Sequence, residues 1–245
     1  MPVTTSAWAE ADDPRSPHWS PAALTRAGVL FAMLAGLAAL TSRADNGWLC
    51  GVDARISYLV ARRRGTGAIR AAHAVSALAE PAMVAAPLAA AGLLSARGDG
   101  WHAAFKPSLT VITGMAIRRG LSRMIARPRP PSANWLIAPE GFSLPSKHTT
   151  LAALSAGACA LAVGAGPHAS DKAVLVAASG VGASRICLGV HWPTDVLAGW
   201  LFAAAWLDVL RALPACNQRS RRWPGVVKLQ SSTKSSDLLT GRTGL

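Results

Sequence analysis

His191 and Asp195 stand four residues apart, a spacing that places both on one face of a helix. An aspartate that accepts a hydrogen bond from one imidazole nitrogen fixes the tautomer. The other nitrogen is then free to act as a nucleophile. Pro193 lies between the two, where the first turn of a helix tolerates its missing N–H. Ser184 and Arg185 precede this pair. Two further polar clusters interrupt the apolar sequence: Arg127-Pro128-Arg129-Pro130-Pro131 and Pro145-Ser146-Lys147-His148. Guanidinium forks match phosphate oxygens, and Ser hydroxyls and N–H groups at a helix start add donors. A second histidine, His148, can serve as general acid for a leaving group. Arginines, a nucleophilic histidine and an acidic histidine together suit phosphoryl transfer without a metal ion or other cofactor.

These clusters need elements that bring them together, and the composition says what kind. The chain has 245 residues, 51% hydrophobic and only 15% charged, yet its formal net charge is +13. An ordinary soluble domain carries roughly 25% charged residues. The apolar content excludes disorder over most of the chain. Four scattered cysteines with no CxxC pair exclude a disulfide scaffold. Six apolar stretches approach the roughly 20 residues that cross a bilayer: Ala27 to Thr41, Ala71 to Ala96, Ala103 to Ile117, Thr149 to Gly166, Ala173 to Val190 and Pro193 to Leu213. They are rich in Ala and Gly, which suits close helix packing in lipid, and they lack the charged outer face of soluble helices. The predicted fold is all-α, an integral membrane six-helix bundle over residues 22–213. A loose N-terminal segment, 1–21, and a basic disordered tail, 214–245, flank it.

With six spans, the loops between spans three and four and between spans five and six face the same side. All three polar clusters then converge at one membrane surface. The tail residues Arg219, Arg221, Arg222, Lys228 and Lys234 favour cytoplasmic termini. The loop after the first span would then face outward despite Arg55, Arg62, Arg63, Arg64 and Arg70. An amphipathic helix over Ala54 to Ala72, lying on the outer surface with its arginines at lipid headgroups, reconciles the two. Trp101, Trp135, Trp192 and Trp223 read as interface residues. Glu80 falls inside the second span, where a carboxylate is costly; the expectation is that it pairs with a bundle-facing arginine or is protonated, and no motif gives it a catalytic role. The basic residues lie at span ends and in the tail rather than on one soluble face, which argues against nucleic acid as a partner.

The pattern S-R-x5-H-x3-D from Ser184 to Asp195 resembles the third signature of the type 2 phosphatidic acid phosphatase superfamily. Pro145-Ser146-Lys147-His148 resembles its second, P-S-G-H, and the stretch ending in Arg129-Pro130 the end of its first, K-x6-R-P. The resemblance implies a membrane phosphatase acting through a phosphohistidine, without metal or cofactor. Its substrate would be a lipid phosphate: phosphatidate, phosphatidylglycerophosphate or a polyprenyl (di)phosphate. His191 would be the nucleophile, Asp195 its orienting partner and His148 the acid. Arg129, Arg185, Ser146 and the N–H of Lys147 would hold the phosphate, with Arg127 and Ser184 as further candidates. The implied location is the cytoplasmic membrane, with the site on its outer face and membrane lipids around it.

Two positions depart from the pattern. Ser122 stands where the family has Lys, and Lys147 where it has Gly. Arg119, Arg123 and Arg127 are candidates to replace the missing charge, and Lys147 is another; the alternative is a Lys147 turned to solvent and a weakened site. A lipid phosphotransferase and a phospholipid-binding protein of low activity are the competing functions on this fold. A vanadate haloperoxidase shares the pocket type but is soluble.

Overall fold

The computed structural model describes residues 20–42 and 47–213. Nearly all of the expected N-terminal segment and all of the expected basic tail lie outside the described residues, as does Trp223. Among the described residues eight α-helices run in order: α1 Pro21–Ser42, α2 Trp48–Arg63, α3 Thr66–Ala77, α4 Pro81–Asp99, α5 Lys106–Ile125, α6 Lys147–Ala162, α7 Pro167–Cys187 and α8 Pro193–Ala212. Short 3-10 turns cover Trp101–Phe105 and Ser132–Asn134. Among the described residues there is no strand.

Helices α6 and α8 form the centre. Leu151, Leu154, Leu201, Phe202 and Leu207 are buried along them. Helix α1 packs on α8, while α4, α5 and α7 pack on α6. Small residues set the spacing: a Cβ on Gly182 of α7 would lie 2.2 Å from a Val196 methyl on α8. The outer surface is apolar, with Val29, Met33, Leu93, Ile112 and Val176 exposed, the reverse of a soluble bundle. At one end Arg26 of α1 pairs with Asp171 of α7 and Asp208 of α8, and Arg211 binds both carboxylates. This balanced network ties the first helix to the last two.

Among the described residues two helices, α1 and α8, are long and apolar enough to cross a membrane alone. The expected second span is broken: α3 and α4 are bent by 49° across residues 78–80, and count as a third span only if taken together. The other three expected spans correspond to α5, α6 and α7. They fall short by that measure because α5 carries Arg118, Arg119 and Arg123, α6 has 16 residues, and α7 carries Asp171, Lys172 and Arg185. The expected amphipathic helix over Ala54 to Ala72 is also two helices, α2 and α3, parted at Arg64-Gly65. Arg55, Arg62, Arg63 and Arg70 are exposed. Arg64 turns inward and donates to the carbonyls of Cys187 and Asn134 at 2.8 and 2.9 Å.

Candidate active site

The end of the bundle opposite the Arg26 network gathers every polar cluster. The 126–146 loop lies against the short connection between α7 and α8. Leu136 N–H donates to the Leu188 carbonyl, and Ser146 N–H to the Asp195 carbonyl. Gly189 makes the tight join possible. Its φ is +76°, and a Cβ there would lie 2.1 Å from the Asn134 carbonyl oxygen, so only glycine fits without strain.

His191 is 1% exposed. Its Nδ1 lies 3.4 Å from Oδ2 of Asp195, and its Nε2 lies 3.1 Å from Nη1 of Arg129. With Nδ1–H donating to the carboxylate, Nε2 is the lone-pair nitrogen and faces the guanidinium. Burial is the main cause that drives the proton affinity of His191 down, to about 4. Asp195 pulls against that shift, while Arg129 and Arg185 reinforce it. The ring is therefore neutral at physiological pH, the state a nucleophile requires.

Asp195 is fixed on all sides. It accepts from the Trp192 N–H at 2.8 Å, closing the first turn of α8, and from the Ser143 hydroxyl. Arg127 Nη1 donates to its other oxygen at 2.6 Å. The same guanidinium reaches Thr194 Oγ1 at 2.7 Å and Asp53 Oδ2 at 2.7 Å. Arg127 was a candidate phosphate ligand by sequence. Here its charge is matched by two buried carboxylates, because Asp53 of α2 enters from a helix that carries none of the motifs. Trp192 stacks beside Arg127 at 5.8 Å and donates to the Pro128 carbonyl, and Trp135 donates to that of Pro130. These two tryptophans brace the proline-rich loop.

The remaining arginines have a different environment. Arg129 donates to the carbonyls of Val190, Glu140, Gly141 and Phe142. Arg185, buried on α7, donates to Ser76 Oγ at 2.7 Å, and its buried Nε has no partner. Arg118, buried on α5, donates through Nε and Nη2 to the Pro145 carbonyl at 2.8 and 2.6 Å and lies 3.3 Å from Ser122 Oγ. Among the described residues none of these three has a carboxylate partner.

Arg118 was not among the sequence candidates. It lies one helical turn before Ser122, and that i, i+4 relation was the available signal. It stands beside the position where the family pattern has Lys. Lys147 makes no hydrogen bond or ion pair among the described residues and opens α6, where first-turn N–H groups lack intrahelical acceptors. Ser146 is fully buried; its hydroxyl accepts from Thr149 Oγ1 at 3.0 Å. The Ser184 hydroxyl donates within its own helix to the Val181 carbonyl at 2.6 Å, so that candidate caps backbone rather than facing the cluster. His148 has its Nε2 3.0 Å from Oε1 of Glu80. The α3–α4 break thus delivers both Ser76 and Glu80 to the site. No group of three or more His, Cys, Asp or Glu converges as a metal-binding set among the described residues.

Two comparisons with known proteins bear on the family and the fold. The sequence model of the PAP2 superfamily matches residues 103–218, which hold all three motifs. Among solved structures, the fold is similar to that of a transmembrane PAP2 type phosphatidylglycerolphosphate phosphatase from Bacillus subtilis. The two are 24% identical, with a TM-score of 0.66, over 76% of this chain and 94% of the other. None of the curated proteins matches the chain.

Proposed function

We propose that this chain, an all-helical membrane protein whose residues 103–218 belong to the PAP2 superfamily, is a lipid phosphatase that works through a phosphohistidine. The observation that carries the reading is the charge left over at the site. Arg118, Arg129 and Arg185 are wholly or partly buried and bonded only to neutral groups. Arg129 and Arg185 act on the His191 imidazole and Arg118 on Arg129; three such guanidiniums at one end of the bundle call for a polyanion, and a phosphate ester supplies it.

The chemistry follows from the geometry. The Nε2 lone pair of His191 attacks phosphorus in line with the departing oxygen. Asp195, held by Arg127, Ser143 and the Trp192 N–H, stabilises the charge that grows on the ring. Arg129 is near enough to Nε2 to hold a phosphoryl oxygen as the bond forms. Arg118, Arg185 and the first-turn N–H groups of α6 hold the others. His148 protonates the leaving oxygen and then takes a proton from the water that hydrolyses the phosphohistidine. The apolar outer face of the bundle suits a substrate whose tail stays in lipid: phosphatidate, phosphatidylglycerophosphate or a polyprenyl (di)phosphate. The reading places the protein in the cytoplasmic membrane with this site on the outer face.

The test is phosphate release from these lipids by purified protein in detergent, with His191→Ala as control. Phosphate should be released, and acid quench should destroy the phosphoenzyme while alkaline quench preserves it. Absence of release from every one of these lipids refutes the proposal.

A further inference from the structure

Glu80 lies in the break between α3 and α4, at the N-cap of α4. Its backbone is fixed on both sides. Its N–H donates to the Ala77 carbonyl at 3.0 Å, and its own carbonyl accepts from Met83 at 2.9 Å and Val84 at 3.2 Å. A carboxylate is favoured at this helix end by the dipole of α4. Its side chain is 52% exposed, yet Oε1 is directed at Nε2 of His148 across the α4–α6 contact. The other ring nitrogen, Nδ1, has no hydrogen-bond partner among the described residues. The charges that act on the ring are Arg185, Lys147 and Glu80. The two cations disfavour a further positive charge there, and Glu80 is the one anion of the three.

Resting on the phosphatase reading above, we propose that Glu80 is a positioning residue for the acid step. It holds His148 by Nε2–H, turns Nδ1–H toward the leaving oxygen and supports the protonated ring against Arg185 and Lys147. The site then contains two His–carboxylate pairs with opposite tasks. Asp195 bonds Nδ1 of His191 and leaves Nε2 to attack; Glu80 bonds Nε2 of His148 and leaves Nδ1 to donate. In the first half-reaction the Nε2 lone pair of His191 forms the P–N bond. The P–O bond breaks with its electron pair on the departing oxygen, which takes the Nδ1 proton of His148. The ring is left neutral, its Nε2–H still on Glu80. In the second half, Nδ1 accepts a proton from water as the water oxygen bonds phosphorus. The P–N pair returns to His191.

The experiment compares two phosphate monoesters on the purified full chain, a long-chain alkyl phosphate and p-nitrophenyl phosphate. The alkoxide leaving group needs a proton; the nitrophenolate does not. Glu80→Gln should lower kcat/KM for the alkyl ester about 10–100-fold, part of the usual worth of a general acid. The nitrophenyl ester should change by less than about 3-fold on the same Brønsted reasoning. His148→Ala should show the same split, and the double variant should be no worse than His148→Ala alone, since Glu80 acts through His148. Glu80→Asp, which withdraws the carboxylate by one methylene, should give a weaker form of the same split and serves where the Gln variant does not fold. Equal losses on both esters, or none on either, overturn the inference while the wild-type activity stands. A wild-type protein inactive on both esters and on the lipids overturns the phosphatase reading and this inference with it.

Discussion

Arg127→Ala separates the structural account of this residue from the one its sequence motif suggests. Three charged side chains anchor the buried network: Arg127 is 4% exposed, Asp53 1% and Asp195 0%. Removing the guanidinium leaves two carboxylates out of water without their cation, and breaking a buried pair in this way costs about 3–5 kcal/mol. A domain of this size has about 5–15 kcal/mol in total, and each kcal/mol is worth about 2–4 °C in midpoint. The variant should therefore melt about 6–20 °C below the wild type in the same detergent. Tryptophan fluorescence is a suitable readout because Trp192 stacks beside Arg127. Adding Asp53→Asn to Arg127→Ala should recover part of the loss, since one stranded charge is then removed. A phosphate ligand would behave in the opposite way: vanadate affinity would fall with the melting point nearly unchanged. That result would refute the assignment of Arg127 as a brace for Asp195.

Arg118→Ala should weaken vanadate binding about 10–100-fold, the worth of a charge-assisted hydrogen bond of about 1.5–3 kcal/mol, and Ser122→Lys in that background should restore much of it. Equilibrium titration with vanadate measures both, and unchanged affinity in Arg118→Ala removes that residue from the anion pocket. Because burial holds His191 neutral down to about pH 4, its nucleophilic form persists from neutral pH to that point, and phosphoenzyme formation should lose no rate to His191 titration above it. The stability sign follows from the same shift: the unfolded chain takes up a proton near 6.5 and the folded ring does not, so stability from this group is full above about 6.5, declines as pH falls to about 4 and is level below. Gly189→Ala should destabilise by at least about 1–2 kcal/mol from its positive φ alone, with the Asn134 contact adding to that; a melting curve matching wild type would show that the loop junction is not tightly held.

The positions of α1, α5, α6, α7 and α8 were legible in the sequence because each holds a long apolar stretch bounded by polar residues. The loop pairing was legible too, since an even number of crossings returns the chain to the same side. Three features were not. Asp53 immediately precedes the stretch whose basic residues suggested headgroup contacts, and nothing local shows that its carboxylate turns inward to meet Arg127. The break at residues 78–80 escapes hydropathy because Leu78 and Ala79 continue the apolar run, and Pro81 after Glu80 was the local signal that a new helix starts there. Arg118 has the same charge as Arg119 and Arg123; only packing against the Pro145 carbonyl distinguishes the buried one.

The broken helix also explains why an apolar segment carries Ser76 and Glu80 at all. A continuous span would present a carboxylate to lipid at a cost of several kcal/mol. The 49° bend instead ends α3 and starts α4 beside the site, so that Ser76 meets Arg185 and Glu80 meets His148. Straightening this segment should cost the site both contacts together. Replacing Ser76 alone should not: Ser76→Ala leaves a second nitrogen of a buried Arg185 without a partner, beside an Nε that already has none. The expected consequence is a tighter grip on phosphate rather than a looser one, because the anion becomes the way to satisfy that guanidinium. Vanadate affinity that rises in Ser76→Ala supports this reading of Arg185 as a ligand held in reserve, and affinity that falls means Ser76 is needed to aim it.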